Sequence, residues 1–333
     1  MELGTGLFTA QRRPGDDRSF QEIYAELLDL AAAIDDAGLA SAWVSEHHFT
    51  DDGYLPATMP TLGALAAATD DVAIGTCIAL APLYDPVRLV EDAATVDLLS
   101  GGRMHLGLSI GYRDAEFEAF GVSKEERVSR TVDAVRLARA AWGGEPYDPE
   151  HHPIAPGVAI TPPPVGEGPP ILLGGSAKPA VRRAARLGDG WIAPSSLDAE
   201  GLRVRVEDIH RVRDAEGLDD PFDVYVLRHG FVADTPEAAW DAMRPGYFYL
   251  QRRYAEWYGG EPVDELPADR RAALRDRAIV GPPESVTESL REIADVAGDD
   301  AHVILRTYFP GIGTERMREA IYRLGDEVVP ALP

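Results

Sequence analysis

The chain has 333 residues, 45% of them apolar, with 32 basic against 56 acidic side chains and a formal charge of −24. So acidic a surface excludes nucleic acid and an anionic membrane as partners. No apolar run reaches the 18 residues of a membrane span and no basic-then-apolar leader opens the chain, so a cytoplasmic protein is expected. The single cysteine, Cys77, excludes a disulfide framework and a cysteine-based zinc site, and its apolar neighbours make it a small buried side chain; no metal site is expected.

In chain order, Leu3–Thr9 is apolar enough for a first strand, and residues 20–37 place Ile23, Leu27, Leu30 and Ile34 at helical spacing before Gly38. Ala42-Trp43-Val44 reads as a short buried strand running into Glu46, His47 and His48. A helix over Met59–Thr69 and a strand over Val72–Leu80 follow, and Asp85-Pro86 caps a helix that ends before Gly101-Gly102. Met104–Leu108 is the next strand; a loop through Tyr112 and short helical turns lead to a helix over Lys124–Trp142.

Residues 143–169, rich in Pro, Gly and His, read as an insertion with at most a hairpin around Val158–Thr161. Pro170–Leu173 and Gly190–Ala193 are strands separated by the turn Gly174-Gly175-Ser176 and the helix Pro179–Leu187, with another helix over 198–216. Phe222–Val232 is a strand, and Thr235–Met243 starts a helix. Residues 244–277, carrying Tyr247, Phe248, Tyr249, Tyr254, Trp257 and Tyr258, fit no barrel element; a lid over the site stands beside a dimer contact or an outer-wall helix. A helix over 283–297, a strand over His302–Arg306 and a helix over Thr314–Val329 close the chain. Eight strand–helix units predict a (β/α)8 TIM barrel, one domain over 1–333 with insertions at about 143–169 and 244–277.

Catalytic groups of such barrels collect at the C-terminal strand ends, where Glu46, His47 and His48 fall. Adjacent side chains on extended backbone diverge, so one histidine faces the cavity while the other supports it. Gly174-Gly175-Ser176-Ala177 joins a strand to a helix, a geometry in which backbone N–H groups and the helix dipole hold a phosphate. An ordinary turn that needs glycine is the other reading. Arg127 and Arg130 share a helix face and could clamp an anion, or neutralise Glu125, Glu126 and Asp133. The two glycines of Leu106-Gly-Leu-Ser-Ile-Gly-Tyr112 would let a flat ring approach the backbone.

Trp43-Val-Ser-Glu-His-His-Phe49, Asp85-Pro-Val-Arg-Leu-Val-Glu-Asp92, Leu98-Leu-Ser-Gly-Gly-Arg103, Gly107 through Phe117, Phe120-Gly121 and Leu173-Gly-Gly-Ser176 together resemble the bacterial luciferase-like flavin monooxygenases over nearly the whole chain. The resemblance implies a (β/α)8 barrel using reduced FMN or coenzyme F-420. It matches His47 to the catalytic histidine, Ser176 with Gly174, Gly175 and Ala177 to the flavin phosphate turn, and Arg130 to a phosphate-binding arginine, with Arg127 as a second candidate. Ser109 and Tyr112 fall in the cofactor-binding stretch, and Tyr112 and Trp191 are expected to line the pocket, with core packing the other reading of Trp191. The luciferase has an arginine where Ile110 stands and an acidic residue where Gly175 stands, so light emission from a long-chain aldehyde is not expected. No GxGxxG fingerprint is present to hold NAD(P)H, so reduced FMN would come from a separate flavin reductase. A small-molecule substrate and a homodimer or higher homo-oligomer complete the expectation.

Overall fold

Short apolar runs, most of them followed by a helix, leave the chain one economical arrangement: parallel strands inside, helices outside. The computed structural model describes residues 1–144, 159–261, 263–298 and 300–333. Along the chain lie β1 (Glu2–Phe8), α1 (Phe20–Asp36), β2 (Ser41–Val44), α2 (Thr58–Ala68), β3 (Ala73–Thr76), β4 (Ala79–Leu80) and α3 (Pro86–Ser100). Next come β5 (Met104–Ser109), α4 (Asp114–Phe120), α5 (Arg127–Trp142), β6 (Ile171–Gly174), α6 (Lys178–Leu187), β7 (Gly190–Ala193) and α7 (Ala199–Glu216). The last third holds β8 (Asp223–Val232), α8 (Pro236–Trp257), α9 (Ala268–Asp276), β9 (Ile279–Gly281), α10 (Pro283–Ala297), β10 (His302–Arg306) and α11 (Thr314–Arg323).

The strands pair in parallel in the order β10-β1-β2-β3-β5-β6-β7-β8, and β10 pairs back onto β8 through His302↔Tyr225 to Arg306↔His229, closing the ring. With β4 continuing the stave of β3 beside β5, this is the expected eight-stranded TIM barrel. Leu7, Trp43, Cys77, Leu172, Ile192, Tyr225 and Ile304 pack inside it, while a larger apolar layer fills the space between strands and helices. Burial pushes the Cys77 thiol up to about 12, consistent with an inert core side chain. At the N-terminal end His302 stacks on Tyr225 at 4.3 Å, the Tyr225 hydroxyl lies 3.3 Å from His105 Nδ1, and Trp43 meets both rings edge-on. Gly107 is obligatory here, because a Cβ would sit 2.0 Å from the Thr76 carbonyl oxygen.

The helices start where their caps lie: Ser19 and Glu22 form a capping box on α1, and Asp85 caps α3, which ends in left-handed Gly101. Among the described residues no helix is long and apolar enough to cross a membrane.

Several expectations need correction. The strand over Val72–Leu80 is broken between β3 and β4, with a cis peptide between Cys77 and Ile78. Residues 244–277, expected to fit no barrel element, continue one: α8 runs unbroken through Pro245 to Trp257, and α9 follows. Proline removes one helical N–H, yet its face lines an open cleft of about 900 Å³ where water can take the freed Asp241 carbonyl. Residues 279–281 form β9, which extends the end of β8 through Gly230 to Val232. The closing helix ends at Arg323 and passes into a π-helical turn over Leu324–Val328. The hairpin expected around Val158–Thr161 begins outside the described residues, and 159–161 carry no strand.

Candidate active site

β2 delivers Ser45, Glu46, His47 and His48 to the C-terminal rim, and the structure turns the two histidines apart. His47 is 6% exposed, and its Nδ1 lies 2.8 Å from Glu116 Oε1 on α4. The same oxygen accepts the backbone N–H of His48 at 3.0 Å. Burial works against the charge of Glu116, but the hydrogen bond and charge of His47, the His48 amide and Arg113 outweigh it and hold the carboxyl below its usual range. With the carboxylate on Nδ1, that nitrogen carries the proton and Nε2 is left as an acceptor facing the Tyr112 hydroxyl. His48 turns instead to Glu46, whose second oxygen accepts from the Leu80 amide and the Tyr84 hydroxyl. Glu46 therefore ties β2 to β4 and does not face the cavity.

Arg113 donates to the carbonyls of His48 and Phe49, clamping a segment in which Phe49 holds the left-handed φ of 53°. Around His47 stand Trp257 at 4.8 Å, Tyr54 at 4.9 Å, Tyr112 at 5.6 Å and Tyr254 at 5.9 Å between ring centroids. Two of these rings come from the C-terminal half of α8, which lies across the site with Tyr254 hydrogen-bonded to Tyr54 at 2.9 Å. The lid position thus belongs to a helix end. Tyr112 lies 3.4 Å from His47 Nε2 through its hydroxyl, and burial raises its pKa far above the ordinary value, so it keeps its proton at neutral pH.

Of the other candidates, Ser109 and the turn after β6 lie on the adjoining arc of β4, β5 and β6. Ser109 ends β5 in register with Leu80, and Leu108 pairs with Leu173 just before Gly174. The Gly175 carbonyl accepts from Trp191 Nε1 at 2.9 Å and the Ser176 carbonyl from Arg205 Nε at 2.8 Å. Because a trans peptide points its N–H opposite its C=O, the N–H groups of Ser176 and Ala177 are aimed away from those partners. Ala177 gives α6 no side-chain cap, Pro179 brings no N–H and Ala180 already donates to the Ala177 carbonyl, so the donors left at this turn are the N–H groups of Ser176, Ala177 and Lys178. Gly175 has φ 136°, and a Cβ there would press Ala180 at 2.9 Å. Trp191 is fully buried and acts through the turn it holds. Arg130 reaches Pro82 O just beyond β4, whereas Arg127 bonds Lys124 O and keeps its Nε buried without a partner. The two guanidinium groups therefore bind different carbonyls.

Sequence reasoning missed Glu116, Tyr54 and Arg113 as site residues. Glu116 stands in the Gly107–Phe117 stretch, but its partner lies 69 positions away and no spacing rule connects them.

A catalytic-type histidine held by a carboxylate at a barrel rim, beside an uncapped helix start, is the setting in which the comparisons fall. The model of the luciferase-like monooxygenase family matches residues 1–300, and the chain belongs to that family. It is 24% identical, over 98% of its length and 94% of the other, to the oxygenase component of the flavin-dependent trigonelline monooxygenase of Acinetobacter baylyi. It is 30% identical, over 92% of each chain, to an F420-dependent glucose-6-phosphate dehydrogenase of Nakamurella multipartita. Among solved structures, monooxygenase RslO1 from Streptomyces bottropensis superposes with a TM-score of 0.86 over 99% of both chains at 24% identity, a likeness of fold. The protein is an oxidoreductase of this flavin- and F420-using family.

Proposed function

We propose that the protein is a monooxygenase that uses reduced FMN and dioxygen on a small organic substrate. The observation that carries this reading is His47, fixed by buried Glu116 and presenting Nε2 to an aromatic enclosure that α8 covers. Reduced flavin, when bound, supplies the electrons for the reaction with oxygen. The chain's own work is to hold the cofactor, move one proton and keep water out. The donors of Ser176 and Ala177, beside Gly174, Gly175 and Ser109, suit a phosphate, with Arg130 and the unpartnered Nε of Arg127 as charged partners. Tyr112, three residues beyond Ser109, reaches from this arc to His47, so a ring bound along β5 would lie next to the proton-moving nitrogen.

The Acinetobacter relative is an oxygenase component. That agrees with a flavin reductase as the transient partner here, since the sequence lacks a dinucleotide fingerprint. A second reading, hydride transfer with coenzyme F-420, is supported by the Nakamurella relative. Titrating the purified protein with FMN and with F-420 separates the two, and preference for F-420 would overturn the first. His47→Ala should abolish turnover while flavin still binds; unchanged turnover would remove His47 from the chemistry.

A further inference from the structure

The wall around His47 is made of aromatic faces and phenol hydroxyls. Tyr54, Tyr112, Tyr254 and Trp257 surround the imidazole, and Tyr258 lies face to face on Tyr112 at 4.1 Å with an interplanar angle of 9°. Tyr258 is 71% exposed, so the ring covering Tyr112 is held by little else and can leave. A cleft of about 700 Å³ lined in part by Phe49, Tyr112, Arg113, Trp257 and Tyr258 leads to that stack from outside. The Tyr112 hydroxyl already points at His47 Nε2, at a length of 3.4 Å that leaves room for a better partner.

We propose that this enclosure binds a planar aromatic substrate bearing an acidic hydroxyl, a phenol, stacked on Tyr112 in the place Tyr258 now occupies and hydrogen-bonded through its hydroxyl to His47 Nε2. The proposal names the substrate class of the flavin reading above and rests on His47 being its proton-moving group. The phenol O–H bond breaks and its proton passes to Nε2, giving a phenolate beside an imidazolium. Glu116 on Nδ1, with Arg113 3.7 Å from that carboxylate, faces the new cation from α4 and the loop before it. The remaining titratable groups against His47 are Tyr54 and Tyr112 from the barrel side and Tyr254 from α8. Tyr112 retains its own proton and can donate it as a hydrogen bond to the phenolate oxygen. The contact between Tyr54 and Tyr254 shows that two phenol groups already meet in this enclosure.

The test uses flavin-free protein, with 7-hydroxycoumarin and its 7-methoxy ether as probes. The hydroxy compound should bind about tenfold more tightly than the ether, the size of one well-placed hydrogen bond to an ionising partner. At a pH below the free probe's own pKa, its anion absorption band should appear on binding. His47→Gln should keep the probe bound but lose the anion band, which a merely structural role would not do. Tyr258→Ala, which vacates the place the probe takes on Tyr112, should tighten both probes about two- to tenfold, while Tyr258→Phe, which keeps the competing ring at an exposed position, should bind as the parent does; weaker binding in Tyr258→Ala would overturn the proposal. Equal affinity for the two coumarins, or an anion band that survives His47→Gln, would overturn the proposal. FMN is titrated into the same samples. FMN binding with no coumarin binding sinks the phenol site alone, whereas coumarin binding as described with no FMN binding sinks the flavin reading and leaves the phenol site standing.

Discussion

Replacing Trp257 with alanine tests whether the end of α8 closes the site. Two guanidinium groups lie over its ring, Arg113 at 5.2 Å and Arg253 at 5.5 Å, and it contacts His47, Tyr254 and Tyr54 at 4.8, 5.3 and 5.8 Å. Half-exposed cation–π contacts contribute about 0.5–1 kcal/mol each and aromatic pairs about 0.5–1.5, and these terms overlap because the groups share neighbours. A local loss of about 3 kcal/mol is a reasonable estimate, equivalent to roughly a hundredfold larger population of the lifted helix end. Hydrogen exchange reads this directly: amides of residues 251–257 should exchange about a hundredfold faster in Trp257→Ala, while those of the barrel strands stay unchanged. In the loaded enzyme the same variant should release more hydrogen peroxide per flavin oxidised, because water reaches the site. Exchange at the parent rate in residues 251–257 would refute the argument that Trp257 holds the cover in place.

Glu116→Gln keeps two acceptor contacts but removes the charge. The folded Glu116 carboxyl titrates below its ordinary value, so its stabilisation is complete above the ordinary value and disappears as the pH falls through the folded one. Urea midpoints of the parent should therefore fall more steeply than those of Glu116→Gln as the pH drops below the ordinary glutamate range, and parallel curves would contradict the pairing with His47. Arg130→Ala should weaken FMN about ten- to a hundredfold and riboflavin little, since an arginine–phosphate contact is worth about 1.5–3 kcal/mol. Calorimetric titration of both ligands decides, equal losses meaning that Arg130 acts only through its bond to Pro82.

The barrel was legible because each strand is a short apolar run with its own helix behind it, and period and punctuation carry that information locally. That a histidine reaches the rim was legible for a related reason, since His47 and His48 closely follow a buried strand, while the choice between them rested on the family resemblance. Glu116 was not, since an acidic residue inside a short helix reads as solvated until tertiary packing sets it against β2 and removes its water. The path of α8 was misread because Pro245 and Gly246 both signal an end to a helix. Packing overrides the signal: Gly246 lies so close to Phe309 and Pro310 that a Cβ would come within 2.8 Å and 2.7 Å of them. The break between β3 and β4 is one that no residue pattern announces.

The filled N-terminal end of the barrel governs traffic. His302, Tyr225, His105 and Trp43 stopper the ring below the site, and burial keeps His105 neutral down to about pH 4. With that end filled, the cleft that Tyr258 and Trp257 line lies on the opposite side, at the strands' C-terminal rim. Reactant and product that both pass through this cleft share one threshold, and a molecule waiting there stands in the way of one departing by it.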